Sequence, residues 1–258
     1  MNLSDLKHSP NLYAFNDKFD LLLNLHKSKK FPKTLMLSGK KGIGKFTLVK
    51  HFLTYVFDKK YNYKLKEIDQ QSEFFKQLQK SIFPNVIYLD GFALKNAKIE
   101  DIRQLKSAIL KSSISKINRF IVLDDVELFN ANSLNALLKI IEEPTSSNFF
   151  ILINNNSRPL IETVKSRCLE FKISLNNHDR IKIIEALIVK NNLNPIIDYK
   201  TSNITPGNFC VFNNICETND ININNDFLLN LEVILNLYKK DKNMNLINLI
   251  LYLAEVYF

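Results

Sequence analysis

Glycine is scarce in this chain, with five residues in 258. Three of them, Gly39, Gly42 and Gly44, fall within six positions, so that stretch has a local reason for them. Cysteine is scarcer still: Cys168, Cys210 and Cys216 form no Cys-x-x-Cys pair. That excludes a four-cysteine zinc site within the chain and gives no disulfide framework. Long hydrophobic runs are also missing. The stretch FFILI at 149–153 is far short of the roughly 20 residues a membrane helix needs. The opening MNLSDLKHSP lacks the basic-then-apolar pattern of a secretory signal. These absences lead to the expectation of a reduced, cytoplasmic protein without a membrane partner. Acidic residues are outnumbered, 26 against 35 Lys and Arg, for a net charge of +9 and a pI near 9.3. Such a balance fits contact with nucleic acid, where lysines displace counterions from phosphates. It fits a lysine-rich surface equally well, because the basic residues are scattered, with only short pairs such as Lys29-Lys30 and Lys59-Lys60.

Several short apolar runs are present: TLMLS (34–38), NVIYLD (85–90), RFIVLDD (119–125) and FFILI (149–153). Continuous runs of this length suit strands covered on both faces, as in a parallel sheet between helices. Helical spacing appears between them. Leu48, Val49, Phe52, Leu53 and Val56 follow the glycines, and Leu134, Leu137, Leu138 and Ile141 recur at i, i+3, i+4 and i+7. Asn130 or Asn132 caps that second helix and Pro144 marks its end. The alternation predicts a doubly wound α/β domain over about residues 20–173. Beyond Phe171 the spacing predicts an amphipathic helix over 178–192. A polar, Asn-rich stretch follows at 200–226, and then an apolar helical tail.

The glycine cluster belongs to Gly39-Lys40-Lys41-Gly42-Ile43-Gly44-Lys45, which matches GxxxxGK between a strand and a helix. Such glycines let backbone N–H groups turn around phosphate oxygens, and the helix N-terminus adds partial positive charge. Lys45 would reach the β- and γ-phosphates. The residue after it is Phe46, where a P-loop has the hydroxyl that binds magnesium. Thr47 lies roughly 100° further round the helix and is a poor substitute. A second segment, FIVLDDVELFN, ends an apolar strand in Asp124-Asp125, an arrangement in which the first acid holds a metal and the second orients water. Asp125 is one methylene shorter than the usual Glu. A third, ILINNNSRPLIETVKSRCLEF, places Asn154 and Asn155 just past a strand, where a sensor of the γ-phosphate would sit, and then Ser166-Arg167-Cys168.

NSLNALLKIIEEP followed by SRC closely resembles the signature of the bacterial clamp-loader subunits of DNA polymerase III, an AAA+ family. FPNVIYLD and KIEDIRQLKSAI resemble two further segments of that family. The resemblance covers about residues 20–173 and weakens beyond. It implies a P-loop AAA+ domain over 1–173, a helical lid over 174–218 and a short C-terminal helical segment, a reduced collar, over 219–258. Motor subunits of the family carry Thr or Ser after the loop lysine and an Asp-Glu pair. Here Phe46 and Asp125 stand instead, residues 56–85 hold no cysteine for the family's zinc module, and Asn208 stands where relatives have a sensor arginine. Those departures resemble the delta-prime subunit, a stator that presents an arginine finger, here Arg167, to a neighbouring motor. The implied site is therefore Arg167 in trans, with Gly39, Gly42, Gly44, Lys45, Phe46, Thr47, Asp124, Asp125 and Asn155 as a degenerate nucleotide site that binds no metal. No cofactor is required on this reading, with ATP or ADP left open as a passive occupant. The implied partners are the gamma/tau and delta subunits in a hetero-oligomer and, through the complex, the sliding clamp and primer-template DNA. The competing expectation is an ATP-hydrolysing gamma/tau-like motor, supported by the retained Lys45 and Asp124.

Overall fold

The computed structural model describes residues 9–91, 107, 118–142, 146–223 and 225–258. The expected stop at Pro144 and the segment 98–109 that resembles a family helix lie outside the described residues, apart from Ser107. Contacts divide the chain into two compact units, one holding Ser9–Ser174 and the other Leu175–Phe258.

The first unit is built on five strands: β1 (Thr34–Ser38), β2 (Val86–Asp90), β3 (Arg119–Asp124), β4 (Asn148–Asn154) and β5 (Leu169–Lys172). They are all parallel, in the order β2-β3-β4-β1-β5. The four apolar runs became the strands expected of them. β5 carried no such signal. It is a four-residue edge strand, LEFK, whose side chains stay mostly exposed, and pairing with β1 rather than apolar burial makes it a strand. The helices are α1 (Asn16–Lys27), α2 (Lys45–Phe57), α3 (Glu73–Gln79), α4 (Ala131–Glu142) and the short α5 (Glu162–Lys165). Register sets the site: Ser38 lies opposite Asn154, and Asp90 opposite Asp124. The ends of four strands thus converge where the glycine loop leaves β1.

Leu134, Leu137 and Ile141 of α4 pack with Met36, Ile121, Leu123, Phe150 and Leu152 from the sheet, and Leu138 lies partly buried at the margin. Each fully buried side chain of this size contributes roughly 1.5–3 kcal/mol relative to exposure.

The second unit contains α6 (Asn177–Asn191), α7 (Pro206–Thr218), α8 (Phe227–Asp241) and α9 (Met244–Tyr257). The polar stretch expected at 200–226 contains α7, a buried helix. Its asparagines face inward: Asn213 is fully buried, its Oδ1 accepts from the Ile196 N–H at 2.7 Å, and its Nδ2 donates to the Asn194 carbonyl at 2.8 Å. Buried amides satisfied in this way are compatible with a core, so composition misled here. Phe209, Phe212, Ile215 and Leu249 share that core.

Candidate functional site

The loop from Gly39 to Lys45 joins β1 to α2. Gly42 and Gly44 have φ of 81° and 103°, a region that favours glycine because it has no Cβ. Gly39 is required by space: a Cβ there would meet the Ile173 carbonyl oxygen at 2.1 Å. Lys45 is buried, and its Nζ donates to the carbonyls of Gly39 and Lys40, each at 2.7 Å. Burial pushes its pKa down to about 8, with the charges of Asp124, Glu127 and Asp125 opposing. The loop lysine is therefore folded back on its own loop.

Phe46 and Thr47 are the second and third residues of α2. The Phe46 ring packs against Tyr88 of β2, centroids 5.2 Å apart. Tyr88 and Asp124 share a face of the sheet, because Tyr88 pairs with Val122 and side chains alternate along a strand. The Tyr88 hydroxyl donates to Asp124 Oδ2 at 3.1 Å, and the Asp125 N–H donates to Asp124 Oδ1 at 2.9 Å. Burial, and then the charge of Asp125, raise the Asp124 carboxyl to a pKa of about 6. Asp124 keeps some open surface, but its dense surroundings dominate. These residues do not fit a magnesium ion well: a phenyl ring stands where the hydroxyl ligand would be, and both oxygens of Asp124 already accept hydrogen bonds.

Asp125 is in the left-handed region, φ 48°, which Asp tolerates. Its Oδ1 accepts from Asn155 Nδ2 at 2.6 Å, and its Oδ2 lies 3.3 Å from Lys41 Nζ. The structure thus brings together Gly39, Gly42, Gly44, Lys45, Phe46, Asp124, Asp125 and Asn155. Lys41 links the glycine loop to the end of β3, and Asn155 links β3 to the end of β4. Buried Glu127 extends the network, accepting from the Asn155 N–H at 3.1 Å and from the Ser157 hydroxyl at 2.7 Å. Sequence reasoning missed Lys41, Tyr88 and Glu127 as partners. Only Tyr88 carried a readable signal, an aromatic two residues before a strand-end acid.

Arg167 stands apart from that network, exposed just beyond α5. Its neighbour Cys168 is an anchor: the thiol donates to the Val164 carbonyl at 3.1 Å, packs on the sheet core, and is pushed up to about 11 by burial. Among the described residues no group of His, Cys, Asp or Glu could hold a metal ion, and no helix is long and apolar enough to cross a membrane.

A family model described as DNA polymerase III, delta subunit, matches residues 16–177, more than half of the chain. The chain belongs to this family. Among curated proteins it is 28% identical over 162 residues to the DNA polymerase III subunit gamma of Buchnera aphidicola subsp. Acyrthosiphon pisum, covering 61% of this chain and 43% of that one. It is 29% identical over 159 residues to the subunit delta' of Buchnera aphidicola subsp. Schizaphis graminum, covering 60% and 46%. The chain thus spans less than half the length of these relatives. The Thermotoga maritima RuvB Holliday junction branch migration motor superposes with a TM-score of 0.50 at 14% identity, over 89% of this chain and 72% of that one. That likeness concerns the fold, which is the AAA+ P-loop fold.

Proposed function

We propose that this clamp-loader family member is a non-catalytic, delta-prime-like subunit that gives Arg167 to the nucleotide site of a neighbouring motor subunit. The observation that carries the proposal is the state of Asp124. The acid expected to hold magnesium accepts from the Tyr88 hydroxyl, and Tyr88 packs on Phe46, the residue that replaced the magnesium-binding hydroxyl. Metal-assisted phosphoryl transfer at this loop has lost its metal site, while Arg167 is exposed. An arginine supplied across an interface stabilises charge on the transferring phosphoryl group and is worth roughly 10³–10⁵ in rate. On this reading Lys45 and the glycines keep the strand-to-helix turn in shape, and any ATP or ADP is a passive occupant. The partners are the gamma/tau and delta subunits of a cytoplasmic hetero-oligomer, which acts on the sliding clamp and primed DNA.

The test is ATP turnover by the motor subunits reconstituted with this chain. Arg167→Ala is expected to lower the stimulated rate at least about 10-fold. A second reading, an ATP-hydrolysing motor, is favoured by the retained Lys45 and by similarity to gamma as well as delta' subunits. Magnesium-dependent hydrolysis by this chain alone, abolished by Lys45→Ala, would establish that reading instead.

A further inference from the structure

Arg167 is exposed but not loose. Its Nε donates to Glu142 Oε1 at 2.7 Å, and its Nη2 lies 2.6 Å from the same oxygen. Its Nη1 donates to the Thr163 carbonyl at 2.8 Å, with Ser166 Oγ further away at 3.4 Å. Glu142 is the last residue of α4, so the guanidinium is pinned between the end of one helix and the turn that follows α5. A guanidinium carries five N–H donors in a rigid plane. Three are committed to Glu142 and Thr163; the other two, one of which reaches Ser166 Oγ only at 3.4 Å, are left for an oxygen brought by another molecule.

We propose that Glu142 is a positioning residue for Arg167. It fixes the plane of the guanidinium before a neighbour's phosphate arrives, so that the two remaining N–H groups meet it already oriented. This rests on the reading of Arg167 as the donor in trans. The chemistry is ordinary preorganisation. An unanchored arginine has many rotamers to lose on reaching a phosphate, and most are already lost here. The carboxylate stays with the guanidinium throughout and does not touch the reacting phosphate. The side chains of Arg167 and Glu142 are 37% and 44% exposed, so the pair is accessible to a partner and modest in strength.

The test uses the full chain reconstituted with the motor subunits, measuring kcat for ATP and the affinity of subunit association. Glu142→Ala is expected to lower the stimulated kcat about 5-fold, the scale of one exposed ion pair, with association unchanged. Glu142→Gln, which keeps the accepting oxygen, is expected to restore at least half of the loss. The double variant Glu142→Ala/Arg167→Ala is expected to match Arg167→Ala alone, because Glu142 acts only through the arginine. An unchanged kcat in Glu142→Ala beside a crippled Arg167→Ala overturns the positioning role and leaves the donor role standing. A double variant worse than Arg167→Ala, or no rescue by glutamine, overturns it as well. If Arg167→Ala itself changes nothing, the donor role falls and the positioning role with it.

Discussion

At Phe46 and Asp124 the site departs from an ordinary P-loop in its side chains, while Gly42 and Gly44 still carry the turn at positive φ. What changed is the company of one carboxyl. Asp124 accepts from Tyr88 and from the Asp125 N–H, yet burial and the Asp125 charge raise its pKa from 3.8 to about 6. The folded state therefore binds more protons than the unfolded state between those two values. Stability falls as pH rises wherever the folded state holds the extra proton. The contribution of Asp124 is full below about pH 4 and is lost as pH rises through about 6. Asp124→Asn imitates the protonated form and removes the charge that burial opposes. The variant is expected to be more stable than the parent at pH 8 by on the order of 1–3 kcal/mol, with the advantage vanishing near pH 4. Denaturant unfolding at pH 4, 6 and 8 reads this directly. A variant weaker than the parent at pH 8 would mean that the charged carboxylate is the favoured form.

Among the elements, the sheet was the most legible part of the chain. Four apolar runs became β1 to β4: the inner strands β1, β3 and β4 are buried along nearly their whole length, as strands covered on both faces must be, while β2 at the edge is only partly buried after Val86. The edge strand β5 was illegible for the converse reason, since its side chains are mostly exposed. Helix α7 was hidden by asparagines that prove to be buried and hydrogen-bonded. At the site, the residues of the loop and the strand-end acids could be read from spacing. Their cross-links could not, because Lys41–Asp125 and Tyr88–Asp124 join elements distant in sequence. The connection after β2 shows the same limit. Gly91 N–H donates to the Asp124 carbonyl at 2.8 Å, and a Cβ at Gly91 would meet the Asp125 carbonyl at 2.2 Å and the Phe129 ring at 2.7 Å. Nothing in the local sequence announces that approach. Gly91→Ala is expected to cost about 1–3 kcal/mol, the scale of forced overpacking, and to displace the acidic pair. The denaturation midpoint measures the cost. A neutral outcome would show that the chain after β2 yields freely at this point.

At the scale of the whole molecule, each compact unit carries its own core. Ile121 and Phe150 belong to the core of Ser9–Ser174, and Phe209 and Leu249 to that of Leu175–Phe258. A domain opens in cooperative groups that share packing, so protection from hydrogen exchange follows the core an amide depends on. Leu249 is fully buried. Leu249→Ala removes its contacts and leaves a cavity, a change that costs about 2–5 kcal/mol in well-packed cores. The loss of amide protection is expected in α6 to α9, where the surrounding side chains reside, with the strands of the sheet keeping theirs. Ile121→Ala is the reciprocal case, exposing β2 to β4 first. Hydrogen exchange read by peptide mass spectrometry separates the two, because the affected peptides do not overlap in sequence. Equal loss across the whole chain in both variants would show that the two cores open as one cooperative unit, and the division by packing would then not be a division in stability.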